Sequence, residues 1–169
     1  MKKNAFTLIE LTIYLAITGT ILFLMTGFLW NIIFGSTKET SYQEVRYSSR
    51  FAMDKMVGEI RKAQAVNFPL PGASLNSISL SMPDSGLNPT IFEITDGYLT
   101  ITQGAGAPVK LTADAVFVNN LLFTNLSYPL SPEIVRIEMS VSHLNPENLN
   151  EYNAELDLKS SAVLLNSAP

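Results

Sequence analysis

The chain has 169 residues, 47% of them hydrophobic, a net charge of −4 and no cysteine. Beyond a long apolar N-terminal run, that length leaves one small domain with a core of its own, and the lack of Cys excludes a disulfide-stapled scaffold. Residues 36–66 carry six basic and four acidic side chains and residues 67–169 three and ten; the acidic second half disfavours nucleic acid, which needs Lys and Arg clustered on one face, without excluding a local basic face.

From Phe6 to Phe34 the only charged side chain is Glu10. As a helix this run would measure roughly 43 Å, against ~30 Å for a bilayer core, so it is long enough to span a membrane. Lys2 and Lys3 precede it and the mixed pair Lys38-Glu39 follows. The positive-inside bias then predicts a cytoplasmic N-terminus and an extracytoplasmic remainder. A secretory signal peptide has an apolar region of about 7–15 residues and a small-residue cleavage site. This run is about twice too long for that, and Ile33-Phe34-Gly35-Ser36 is a poor cleavage site. A plain single-pass anchor fits the length but gives Glu10 no purpose, because an ionised carboxylate in hydrocarbon is costly and is usually kept for a partner. A Glu10 that snorkels at the interface stays open as the simpler alternative.

Lys2-Lys3-Asn4-Ala5-Phe6-Thr7-Leu8-Ile9-Glu10-Leu11 resembles the N-terminal cleavage and methylation motif of type IV prepilins and type II secretion pseudopilins. In that family a short basic leader is cut immediately before the Phe by a prepilin peptidase, and the new amine is methylated. The resemblance implies cleavage between Ala5 and Phe6, N-methylation of Phe6, and assembly of subunits through Phe6 and Glu10. At the position of Ala5 the family more often carries Gly. The resemblance also implies a single-pass bacterial inner-membrane protein whose partners are the peptidase, an inner-membrane assembly platform and other pilin or pseudopilin subunits of a cell-surface or periplasmic filament.

The chemistry of such a site follows from charge. Cleavage leaves an ammonium on Phe6, and in a bundle of these helices Glu10 of one subunit can meet the Phe6 ammonium of a staggered neighbour. Two costly charges then neutralise each other in an apolar core, which fixes axial register.

Residues 36–66 are predicted to continue the same helix. Val45, Ser49, Ala52, Met56, Ile60 and Ala63 recur at three and four, with Met53, Val57 and Val66 widening the stripe, the pattern of a helix with one packed face. Charged residues fill the other faces, and Glu59, Arg61 and Lys62 read as ordinary surface charges. Gly35-Ser36 is expected to bend the helix at most, and Phe68-Pro69-Leu70-Pro71-Gly72 to stop it. Gly19 and Gly27 lie in the apolar part, eight residues apart, which is not the Gly-x-x-x-Gly spacing. Many filament pilins have a kinking Pro where Gly27 stands.

From Ser74 the period becomes two. Ile78, Leu80 and Met82 alternate with serines, Pro83-Asp84-Ser85-Gly86 reads as a turn, and residues 90–95 and 98–102 flank Asp96-Gly97 as a hairpin. Gln103 to Pro108 is expected as a flexible loop, since its Gly-x-Gly lacks the third glycine and following helix of a dinucleotide site. Val109–Leu111 and Val116–Val118 are expected as separate short strands, followed by strands over 119–126, 134–142 and 152–158, with 160–165 as an extension of the last. The organisation predicted is a 1–5 leader, a 6–34 transmembrane helix, its amphipathic continuation over 35–67 and a β-rich head over 68–169. The fold class is α+β, with one long helix packed against an antiparallel sheet. This outline, including the Val135-Arg136-Ile137 strand, is similar to minor pilins and the J-type pseudopilin.

The head shows no constellation for chemistry. His143 is the only histidine, and the carboxylates lack ligand spacing such as His-x-x-x-His. Some pseudopilins bind calcium in loops, and Asp84, Glu93, Asp96 and Asp114 are the residues that would have to meet for it; Asp-rich turns are more often simply turns. No nucleophile and base can be paired, so the expectation is a structural subunit without catalysis, cofactor or metal. Two rivals carry different functions. One is a membrane-anchored extracytoplasmic binding domain that stays uncut at Phe6 and tolerates loss of Glu10. The other is a tip adhesin or DNA-uptake minor pilin with contacts in loops 83–89 or 103–108. An exposed aromatic and basic patch would favour the latter, and the sequence displays none.

Overall fold

The structure, a computed structural model, describes residues 7–128 and 131–165. Among these, one helix, α1 (Leu8–Lys62), precedes nine strands. Thr7 is extended and its hydroxyl accepts from the Glu10 amide at 3.3 Å, capping the first turn. The helix runs unbroken through Gly35-Ser36 for 55 residues, about 83 Å at 1.5 Å per residue. Arg61 and Lys62 sit in its last turn, where cations complement the helix dipole.

The two halves of α1 differ in what covers them. From Leu8 to Ile33 no side chain is buried by the rest of the chain. From Ser41 onward one stripe is packed: Val45, Ser49, Ala52, Met53, Met56, Ile60 and Ala63 are all at most 6% exposed. Each large apolar side chain in that stripe contributes about 1.5–3 kcal/mol by burial.

The strands form two antiparallel sheets where the sequence pattern suggests one. The five-stranded sheet has the order β1 (Ala65–Phe68), β3 (Ile78–Ser81), β4 (Thr90–Thr95), β5 (Tyr98–Gln103), β6 (Val109–Lys110). The four-stranded sheet has the order β2 (Ser74–Leu75), β7 (Val116–Asn125), β8 (Ile134–His143), β9 (Glu155–Val163). α1 lies mainly against β9, the Asn150–Tyr152 turn and β8, and a single hydrophobic cluster joins the helix to both sheets. Asn125 holds the 69–73 crossing between the sheets: its side-chain amide donates to the Pro69 carbonyl at 2.8 Å, and its backbone bonds Gly72 and Ala73. β2 pairs with β7 and not with β3.

Three boundaries differ from expectation. The helix stops at Lys62 and not near residue 66. Ala63 turns extended, Gln64 N donates to Ser81 O at 2.8 Å, and Val66 N donates to the Glu133 carboxylate at 2.7 Å. Val66 satisfies the helical stripe in sequence, yet its backbone is claimed by β1–β3 pairing. Secondly, the strands expected at 116–118 and 119–126 are one strand, β7. Inward residues are even-numbered at Val116 and Val118 and odd-numbered at Leu121 and Phe123, and a register shift between Val118 and Asn120 absorbs the change of parity. Thirdly, Tyr152 belongs to a 3-10 turn, Asn150–Tyr152, and the last strand starts at Glu155.

The hairpin at Asp96-Gly97 is as expected, with Thr95 opposite Tyr98 and φ of 53° and 80° at the two turn residues. The 103–108 loop is docked and not free. Gly104 N donates to Pro89 O at 2.9 Å, and a Cβ on Gly104 would stand 2.3 Å from Gly86 O. Loops 83–89 and 103–108 therefore meet.

Candidate functional site

The exposed half of α1 carries the feature that fold requirements explain least. Its large side chains, from Leu8 at 81% exposure to Ile33 at 54%, are at least half exposed. The helix is long and apolar enough to cross a membrane. Its polar residues are arranged for such a setting: the hydroxyls of Thr12, Thr20 and Thr26 donate to the carbonyls of Ile9, Ala16 and Leu22 at 2.8–2.9 Å, and the Asn31 amide donates to Gly27 O at 3.0 Å. In hydrocarbon a polar group needs an internal partner, and these side chains find one in their own helix.

Glu10 differs from them. It is exposed in the first turn, and among the described residues no cation pairs with it. Ala5 and Phe6, the expected cleavage and methylation positions, lie outside the described residues. Thr7 is a functional residue that sequence reading passed over. Thr7-Leu8-Ile9-Glu10 has the Thr-x-x-Glu spacing of a capping box, and the Thr7 hydroxyl does accept from the Glu10 amide. Glu10 thus has a role within its own chain as well, a negative charge at the positive end of the helix dipole.

In the second half of α1, Glu59 is not the surface charge that the sequence suggests. Its side chain is 4% exposed and receives Lys55 at 2.8 Å and Lys62 at 3.2 Å. Burial raises the carboxyl, but the hydrogen bonds and charges of the two lysines outweigh it and hold the group below its ordinary value. The chain after β9 reaches the helix end, Leu165 N donating to Arg61 O at 3.1 Å, and burial of Glu59 by distant parts of the chain is what the local sequence could not reveal. The Lys55, Glu59, Lys62 spacing of four and three was the available signal.

The face of α1 turned from the sheets is also informative. Tyr47 is 76% and Phe51 52% exposed, one turn apart, and Arg46 and Arg50 are exposed beside them. This is an aromatic and basic patch of the sort not evident from the sequence, because the stripe pattern assigns that face simply to solvent.

In the head, His143 links three elements. Its ring stacks on Tyr152 with centroids 5.5 Å apart, its Nδ1 lies 3.0 Å from Leu144 O, and its Nε2 lies 3.6 Å from the Glu44 carboxylate of α1. A shallow cavity of about 350 Å³ adjoins it, lined by Phe117, Asn145 and Tyr152 among others. Asp114 is tied to Lys110, whose ammonium stands 3.2 Å from the Tyr98 ring centroid. Among the described residues no three His, Asp or Glu side chains are grouped as metal ligands, so Asp84, Glu93, Asp96 and Asp114 are not brought together.

Comparison with protein-family models, with curated proteins and with solved structures finds no match to this chain.

Proposed function

We propose that the chain is a structural subunit, a minor pilin or pseudopilin, of a type IV pilus or type II secretion-like filament, assembled through its N-terminal helix. The observation that carries this reading is the bare apolar half of α1 with its single carboxylate, Glu10, continuous with a half that is built into the head's core. An anchor needs about 20 apolar residues and no acid; a helix that must leave lipid for a bundle needs an apolar surface throughout and one contact that sets register.

In this mechanism the prepilin peptidase cuts between Ala5 and Phe6 in the inner membrane, with the head held outside, and Phe6 is methylated. The assembly platform then draws the helix into a bundle with other subunits. Lipid contacts are exchanged for similarly apolar helix contacts, and Glu10 receives the Phe6 ammonium of a neighbour. N-terminal mass spectrometry of the membrane-extracted protein tests the processing. A chain beginning at a methylated Phe6 is expected; one beginning at Met1 or after Gly35 overturns the proposal.

One observation favours a second reading, a membrane-anchored extracytoplasmic domain that never polymerises. The Thr7 half of a capping box is formed, its hydroxyl accepting from the Glu10 amide, and the Thr-x-x-Glu spacing lets the Glu10 side chain supply the other half, a use that requires no neighbour. Glu10→Gln separates the two, because Gln serves a capping box equally well but carries no charge. Filament assembly is expected to be lost while membrane insertion persists. Normal filaments from the Gln variant would leave Glu10 with only its capping role.

A further inference from the structure

The outer face of α1 in the head has a counterpart on the same molecule. Arg46 and Arg50 are exposed, flank Tyr47 and Phe51, and make no ion pair among the described residues. Asp54 lies one turn further on, and Glu44, one turn before Tyr47, is turned toward His143. On β9, Glu155 and Asp157 are exposed and point away from α1, since the alternate residues Leu156 and Leu158 are the ones packed against the core. Their cross-strand neighbours are Ser142 and Ser140, which neutralise nothing, whereas the next outward residue, Lys159, is already paired with Glu138 at 3.1 Å.

Spacing and level agree as well as charge. Two residues four apart on a helix are about 6 Å apart along its axis, and two residues two apart on a strand are about 6.7 Å apart, so two arginines can face two carboxylates one to one. β9 runs beside α1 with its start near Glu44, where His143 bonds Ala154 O through its amide and reaches Glu44 through its ring. Its far end meets Arg61. Glu155 and Asp157 therefore stand at the level of Arg46 and Arg50 along the helix. Two copies anchored in one membrane bring the two surfaces together with little axial shift.

We infer that the Arg46, Tyr47, Arg50, Phe51 face of α1 docks a second copy of this chain, receiving the Glu155–Asp157 edge of the second copy's head. The contact joins two different surfaces, so each copy keeps one of each free and the association propagates. It deepens the subunit reading, on which it rests for placing copies side by side. Nucleic acid fits the patch less well, because two arginines flanked by Asp54 supply little phosphate-neutralising charge beside so acidic a head.

The test uses the full-length chain in its membrane, with a photoreactive phenylalanine at position 47 and, separately, at position 22 in the apolar half. Illumination at position 47 is expected to give a homodimer whose cross-linked peptide maps to β9. Arg46→Glu with Arg50→Glu is expected to lower that yield roughly five- to tenfold, as two exposed ion pairs imply. Adding Glu155→Lys with Asp157→Lys is expected to restore it. A dimer from position 22 with none from position 47 overturns the docking face and leaves the subunit reading intact. A β9 adduct from position 47 with silence at position 22 keeps the docking face and removes the helix bundle. Adducts to nucleic acid or to another protein, an adduct mapping elsewhere in the second copy, or no rescue by the reversed pairs, each overturn the inference.

Discussion

A carboxylate that is 4% exposed keeps its charge at Glu59 because Lys55 and Lys62 reach it from either side along the helix. Its folded value lies below the ordinary 4.5. The stabilisation is therefore fully present above that pH and is lost as pH falls through the lowered value. Asp114, lowered by the hydrogen bond and charge of Lys110, adds to the same acid limb from an exposed position. Denaturant unfolding of the detergent-solubilised chain between pH 7 and pH 3 is expected to show this loss, and Glu59→Gln to flatten it. A Gln variant with an unchanged acid limb would place the loss elsewhere. Gly97 is constrained twice over: its φ is +80°, and a Cβ would stand 1.8 Å from Cε2 of Phe117. Gly97→Ala is expected to cost about 2–4 kcal/mol. Phe117→Ala added to it should recover the clash but not the backbone strain, a difference readable in the two melting temperatures. The Asp-Gly turn was legible in the sequence, but the Phe117 ring that closes over it was not, since twenty residues separate them.

At the scale of elements, what could be read depended on whether a residue's period was decided locally. The apolar stripe from Val45 to Ala63 was legible, because the helix repeat alone selects it, whereas Ser48 and Glu59, buried beside it, were not. The helix end was not, because Val66 fits two periods and only its pairing with Leu80 of β3, fourteen residues on, decides between them. β7 looked like two strands for a related reason: a bulge at Asn119 reverses which residues point inward. Met56 and Tyr47 share one helix on opposite faces, at 0% and 76% exposure. Met56→Ala is expected to cost about 2–5 kcal/mol and Tyr47→Ala within about 0.5 kcal/mol in thermal unfolding. If Tyr47→Ala proved as costly as Met56→Ala in the dispersed chain, the outer face would be part of the core and unavailable for docking.

For the whole molecule, the division into an apolar rod and an acidic head was visible in composition, and the α+β class in the change of period after the long helix. The division of the strands into two sheets was hidden, because a period of two shows where strands lie but not that β7 pairs with β2 and β8 and leaves β6 to β5. As for the candidate site, Glu10 stands out by charge alone and the Thr-x-x-Glu spacing from Thr7 to Glu10 was there to be read, whereas the exposure of Tyr47 and Phe51 needed coordinates.

That α1 is one uninterrupted rod also determines how the molecule bears load. A pull applied to the Leu8–Ile33 end passes straight down the helix axis to the stretch between Ser41 and Ala63, which lies alongside β8 and β9. The contacts there stand in parallel with the pulling direction and must slip together, so the head resists as a whole and does not peel apart one row at a time. Tension along the helix would pass to the sheets through packed side chains, with no slack loop between the apolar half of α1 and the head to give way first.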